Sequence, residues 1–198
     1  MINPVNCATA ARIHPANRGP RNGSNTRSHR VLILNYGSSS LKFSVCEMGE
    51  DAATVLLKGK LERLGTGQSH IEAVDRSGSK LAGHLVSVAD HKAALTLLLE
   101  RLPSFGAGSI DAVGHGIFLS GARHPGPELV TPAFIDKLRA IRAPNPSHFP
   151  AVLDALQIAL RLGDNVPQVA CFDMTFQRSL LAIARLSFSD GPQSVHIS

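Results

Sequence analysis

The stretch VLILNYGSSSLKFSV, residues 31–45, decides the fold. Val31 to Leu34 form an apolar run that reads as a buried strand, while Leu41, Phe43 and Val45 alternate with Lys42, Ser44 and Cys46 as a second strand. Between them lies the turn Gly37-Ser38-Ser39-Ser40, so the two strands form a hairpin. Gly37 can take positive φ and lets backbone approach a ligand. The serines offer amide and hydroxyl donors to oxyanions, Lys42 adds a point charge, and Asn35 can turn an amide oxygen toward a cation or its waters. Each part suits the β- and γ-phosphates of a nucleotide with Mg²⁺. Gly and Ser are also common turn residues, and from the residues alone an ordinary hairpin turn stays open.

Working outward, Thr54 to Leu61 and Ser69 to Val74 read as further strands joined through Gly65-Thr66-Gly67, which extends the hairpin into a meander. Asp90 is placed to cap a helix running to about Leu102, where Pro103 and Gly106 stop it. Val113 to Leu119 reads as a buried strand, Pro132 to Arg142 as a helix entered through Thr131, Phe149 to Leu162 as an amphipathic helix closed by Gly163, and Val166 to Phe172 as a strand. Strands followed by alternating helices and strands predict an α/β layer domain with the first hairpin at the centre of its sheet.

The formal charge of +5 is local, since Arg12, Arg18, Arg21, Arg27 and Arg30 lie in an opening segment without acids and the rest of the chain balances. Residues 1–30, basic and rich in Asn, Pro, Gly and Ser, read as a disordered tail, and residues 31–198 as the domain. Nucleic-acid binding by the tail would need polyanion affinity that disappears with it, and is disfavoured. The chain has no apolar run of the roughly 18 residues that would span a membrane, and no secretory core, so a cytoplasmic location is expected. Cys7, Cys46 and Cys171 have no metal-ligand spacing, and their odd number argues against a disulfide framework, leaving Cys46 and Cys171 as small buried apolar residues. His115 reads as a satisfied core histidine, and His14, His29, His70, His84 and His91 show no spacing that calls for a role.

Asp173 stands as a lone carboxylate at the end of the last apolar strand, where open α/β sheets gather ligand chemistry. An N-cap for the residues that follow is an equal reading. His148, at a helix start, reads from position alone as a surface or capping residue.

The string Asn35-Tyr36-Gly37-Ser38-Ser39-Ser40-Leu41-Lys42-Phe43-Ser44 after a strand closely resembles the N-terminal signature of the acetate kinase family, a branch of the actin/sugar-kinase/heat-shock-ATPase superfamily. The likeness continues through Asp90 to Leu99, Ala112-Val113-Gly114-His115, Ala143-Pro144 with His148-Phe149-Pro150, and Val166-Pro167-Gln168-Val169-Ala170-Cys171-Phe172-Asp173. It implies a ribonuclease H-like, actin-like ATPase domain, an α/β mixed sheet with flanking helices. It covers only the first half of the family chain, so the second domain is expected to be absent.

By that resemblance Asp173 is the catalytic aspartate, Asn35 holds Mg²⁺, and Gly37, Ser38, Ser39, Ser40 and Lys42 bind the phosphates of ATP. His148 matches a histidine on the transferring phosphoryl group only if two extra residues are allowed. The family's substrate-binding arginine is replaced here by Gly116, which leaves no substrate residue to assign. The implied reaction is ATP plus acetate, or a similar short carboxylate, to ADP and acyl phosphate, with weak or no activity expected of this chain alone. The competing expectation is a non-catalytic remnant or interaction module that pairs with a separate C-terminal half or a kinase subunit. A homodimer is the other partner left open, as the sequence does not give the oligomeric state.

Overall fold

A computed structural model describes residues 29–49, 52–117, 127–140, 149–163 and 166–172. The opening hairpin is β1 (His29–Tyr36) and β2 (Ser40–Met48), with Asn35 opposite Lys42 and Tyr36 opposite Leu41. The antiparallel run continues through β3 (Ala53–Glu62), β4 (Ser69–Asp75) and β5 (Lys80–Val86). Helix α1 (His91–Arg101) follows, then β6 (Ala112–Ile117), β7 (Glu128–Leu129), α2 (Pro132–Ala140), α3 (Phe149–Ala159) and β8 (Gln168–Phe172). The eight strands make one mixed sheet in the order β5-β4-β3-β2-β1-β6-β8-β7, with β1, β6 and β8 parallel and the hairpin central, as expected. His29 and Arg30 already belong to β1, so the sheet starts two residues before position 31. Arg30 is held there by its N–H to Asp111 at 2.8 Å and its guanidinium to the Ala107 carbonyl at 3.1 Å.

The alternation of β2 explains the core. Leu41, Phe43 and Val45 are fully buried on the face shared with Leu34 and Tyr36, and join Ala94, Leu95 and Leu98 of α1 in the main cluster. Phe134, Ile135 and Leu138 of α2 and Leu153 and Leu156 of α3 extend this cluster over β6 and β8. The other face holds a smaller cluster of Val31, Ile33, Cys46 and Ala112. Cys46 is disulfide-bonded, which corrects its reading as a small buried apolar residue, whereas Cys171 is free.

Helix α1 starts where its cap dictates, with Asp90 accepting from the Ala93 N–H at 2.8 Å. It ends one residue before Leu102, and Gly106 takes the left-handed conformation beyond the short 3₁₀ turn Pro103–Phe105. Thr131 caps α2 through its hydroxyl, 3.1 Å from the Phe134 N–H. Two strands were not legible in advance. Strand β5 follows a tight turn in which the Asp75 carboxylate accepts from the Ser77 and Ser79 N–H groups at 2.8 and 2.9 Å, and β7 pairs with β8 over two residues.

Candidate functional site

The turn between β1 and β2 is locked from the protein side. The Gly37 N–H donates to the Ser40 carbonyl at 2.8 Å, and the Leu64 N–H donates to the Ser39 carbonyl at 3.1 Å. Arg63, in the left-handed region at φ 56°, turns the chain so that Leu64 can reach, and its carbonyl is tied down by the Thr66 and Ser69 hydroxyls at 2.8 and 3.0 Å. The His91 Nε2–H donates to the Gly37 and Ser40 carbonyls at 2.7 and 3.2 Å. Both partners only accept, so Nε2 carries the proton. His91 is buried. Its tertiary role corrects the sequence reading that gave it none, because the turn it holds lies 54 residues earlier in the chain.

Gly37 itself needs a different account from the one expected. It is not among the glycines with positive φ; a Cβ at this position would run into the Ser40 hydroxyl. Gly37 leaves room for the Ser40 hydroxyl, a rotatable group, and no left-handed backbone calls for glycine here.

Toward solvent the turn is open. Gly37, Ser38 and Ser39 are exposed, and among the described residues the amides and hydroxyls of Ser38 and Ser39 donate no hydrogen bond. Asn35 and Lys42 are directly opposite each other in the β1–β2 ladder and so share a face of the sheet. That row continues to Gly116 and Cys171 on one side and to Lys60 and Glu72 on the other. Lys60 is neutralised by Glu62 at 2.7 Å and Glu72 at 3.5 Å, and its hydrogen bond to Glu62 raises its pKa above the ordinary lysine value. Lys42 is exposed and has no ion pair among the described residues, which leaves its ammonium available to an anion. An open depression lined by Ser39, Ser40, Glu62, Arg63, His70 and Glu72 adjoins the turn.

Next along the row, a Cβ on Gly116 would overlap the Asn35 Oδ1. The Asn35 amide therefore lies over the position from which a side chain at 116 would rise. Among the described residues no group of three or more His, Cys, Asp or Glu is arranged to hold a metal ion. Asp173, His148 and residues 1–28 lie outside the described residues.

Behind the site a directed hydrogen-bond chain crosses the sheet. The Tyr36 hydroxyl donates to His115 Nδ1 at 2.9 Å, the His115 Nε2–H donates to Gln168 Oε1 at 2.8 Å, and the Gln168 amide donates to the Ala159 carbonyl. The last acceptor fixes every step, because a carbonyl cannot donate and the Gln168 oxygen must then face the histidine. Burial lowers the His115 pKa to about 4 and pushes the Tyr36 phenol up. The expected satisfied core histidine is what His115 is.

A mixed sheet with a central hairpin, parallel inner strands and helices packed on it is the architecture of an actin-like ATPase domain. The sequence profile of the acetokinase family matches residues 30–188, and the chain belongs to that family. It is 36% identical over 154 residues to the acetate kinase of Oceanobacillus iheyensis, covering 76% of this chain and 38% of that protein. It is 32% identical over 155 residues to the acetate kinase of Bacillus subtilis, again 76% of this chain and 38% of the relative. The crystal structure of Porphyromonas gingivalis acetate kinase superposes with a TM-score of 0.61 at 30% identity, over 73% of this chain and 37% of that one. A propionate kinase from Francisella tularensis shares the fold with a TM-score of 0.62 at 24% identity, over 76% of this chain and 38% of that one. The chain thus spans about 38% of the length of the curated relatives it matches. Among the described residues no helix is long and apolar enough to cross a membrane.

Proposed function

We propose that this chain supplies the phosphate-binding part of an acetate kinase-type phosphotransferase, which moves the γ-phosphoryl group of ATP to acetate or a similar short carboxylate. The observation that carries the proposal is the clamped turn whose Ser38 and Ser39 donors face solvent, next to an exposed Lys42 that has no ion pair among the described residues. The serine turn and Lys42 would hold the β- and γ-phosphates. Asn35 would accept from waters around a nucleotide-borne Mg²⁺, whose charge neutralises phosphate oxygens when bound. Asp173 would act at the reacting centre and His148 beside the phosphoryl group, by family resemblance. A carboxylate nucleophile is already ionised at neutral pH, so Asp173 would orient groups without having to be a strong base.

Calorimetric titration of MgATP into the 198-residue chain tests the proposal. Lys42→Ala is expected to weaken binding by about tenfold or more, equivalent to at least ~1.4 kcal/mol. Equal affinity of wild type and variant would remove Lys42 from the site.

One observation favours a second reading, binding without transfer. Where the family places the carboxylate-binding arginine, Gly116 offers no guanidinium, and the Asn35 amide covers it. Phosphoryl transfer depends on charge arranged around the γ-phosphate. We therefore expect the 198-residue chain to bind MgATP with little or no turnover of acetate. Acetyl phosphate formation at rates ordinary for an enzyme would refute this.

A further inference from the structure

We propose that His91 is a positioning residue for the phosphate-binding turn, an assignment that rests on the role proposed for Lys42 and the serines. A trans peptide is planar, and its C=O and N–H point in opposite directions. Fixing a carbonyl inward therefore aims the next residue's amide outward. No described peptide bond is cis. The Gly37 carbonyl is taken by His91 Nε2 at 2.7 Å, so the N–H of Ser38 points away from His91. The Ser39 carbonyl is taken by Leu64 at 3.1 Å, which orients the following peptide in the same manner. By bridging the carbonyls of the first and last residues of the turn, one imidazole sets its width as well as its orientation.

His91 can do this because its own position is over-determined. It opens α1 next to the Asp90 cap, whose carboxylate binds the Ala93 N–H at 2.8 Å. Its ring packs against Tyr36, the residue before Gly37, with centroids 6.1 Å apart. Tyr36 is in turn anchored through His115 and Gln168. The donors of the turn are therefore pre-aimed before any anion arrives, which spares a ligand the cost of ordering the loop.

The test is the affinity of wild type, Lys42→Ala, His91→Ala, His91→Gln and His91→Asn for MgATP and for tripolyphosphate, with thermal midpoints in parallel. His91→Ala is expected to weaken both ligands by about tenfold. His91→Gln keeps an N–H donor near the Nε2 position and is expected to restore affinity to within about threefold, whereas His91→Asn, one methylene shorter, is expected not to. If His91→Ala does not fold, the Gln and Asn pair decides. A merely structural histidine would shift the midpoints of Gln and Asn variants while leaving their affinities equal to wild type, and that result overturns the assignment. Wild type that binds neither ligand overturns the phosphate-binding role itself, and the assignment with it. Wild type that binds while Lys42→Ala does not, with all His91 variants unchanged, overturns the assignment alone.

Discussion

The pairing of Asn35 with Gly116 is where single residues set what the site can do. The two are register partners in the parallel β1–β6 ladder, and the Asn35 oxygen lies where a Cβ at 116 would be. The clash is with the end of a rotatable side chain and not with backbone, so Gly116→Ala should be absorbed by a turn of the Asn35 amide. The expected outcome is a small change in unfolding free energy, within about 1 kcal/mol, together with weaker Mg²⁺-dependent ATP binding. Asn35→Ala should weaken that binding by itself, and the double variant should show no further loss, since both changes withdraw one oxygen. Unfolding in urea and titration of MgATP against metal-free ATP read the two effects separately; additive losses in the cycle would mean that Gly116 acts by another route. The Asn35–Lys42 pairing was legible because alternation and turn length fix hairpin register. The pairing with Gly116 was not, because a parallel neighbour arrives through a long crossover whose register no local pattern specifies. Gly37 shows a local version of the same limit: its glycine was legible, while the Ser40 hydroxyl lying beside it within the same turn is set by a side-chain rotamer that the residue pattern does not specify.

Among the elements, helices with a local cap or stop and strands with a clear apolar pattern were read almost to the residue, whereas β5 and β7 were missed. Asp90, Gly106 and Thr131 act within a turn of their own positions, so α1 and α2 could be placed from local chemistry. Strand β5 carries Gly83 and an exposed Leu85 and buries only Ala82 fully, so it shows no apolar alternation; the one available signal was Asp75 followed by Ser77, Gly78 and Ser79 as a turn. The buried chain linking β1, β6, β8 and α3 has a consequence for pH. His115 has its pKa lowered from 6.5 to about 4, chiefly by burial. As pH falls, the unfolded imidazole takes up its proton first, so the stability contributed here is complete above pH 6.5 and lost progressively toward pH 4. By about pH 5 the loss should reach ~2 kcal/mol. Urea unfolding at neutral pH and at about pH 5, in wild type and in His115→Gln, isolates this contribution from that of the other histidines. Wild type should lose the larger amount on acidification, and equal losses would show that His115 is not the group responsible.

Across the whole molecule, the sheet order puts β5 and β7 at the two edges of the described sheet. Edges are not visible in a sequence, because which strand lacks a neighbour depends on every other pairing; the central place of the hairpin could be foreseen, the outermost strands could not. An edge strand presents unpaired N–H and C=O groups and invites pairing with another chain. The two edges are protected unequally. Strand β7 is two residues long and flanked by the Lys137–Glu128 ion pair at 3.0 Å, which leaves little ladder to extend. Strand β5 is seven residues long, and its Leu85 is 65% exposed. Its own defence is Lys80, whose side chain lies across Gly83 at the start of the strand and leaves the Leu85 end uncovered. Self-association should therefore proceed through β5. Leu85→Lys places a charge on that uncovered end without removing a buried group, so unfolding free energy should change by no more than about 0.5 kcal/mol. Light scattering of concentrated solutions should fall for Leu85→Lys and rise for Lys80→Ala, which strips the existing guard. If both variants scatter like wild type, β5 is not the adhesive edge, and association must arise at a surface other than the end of the sheet.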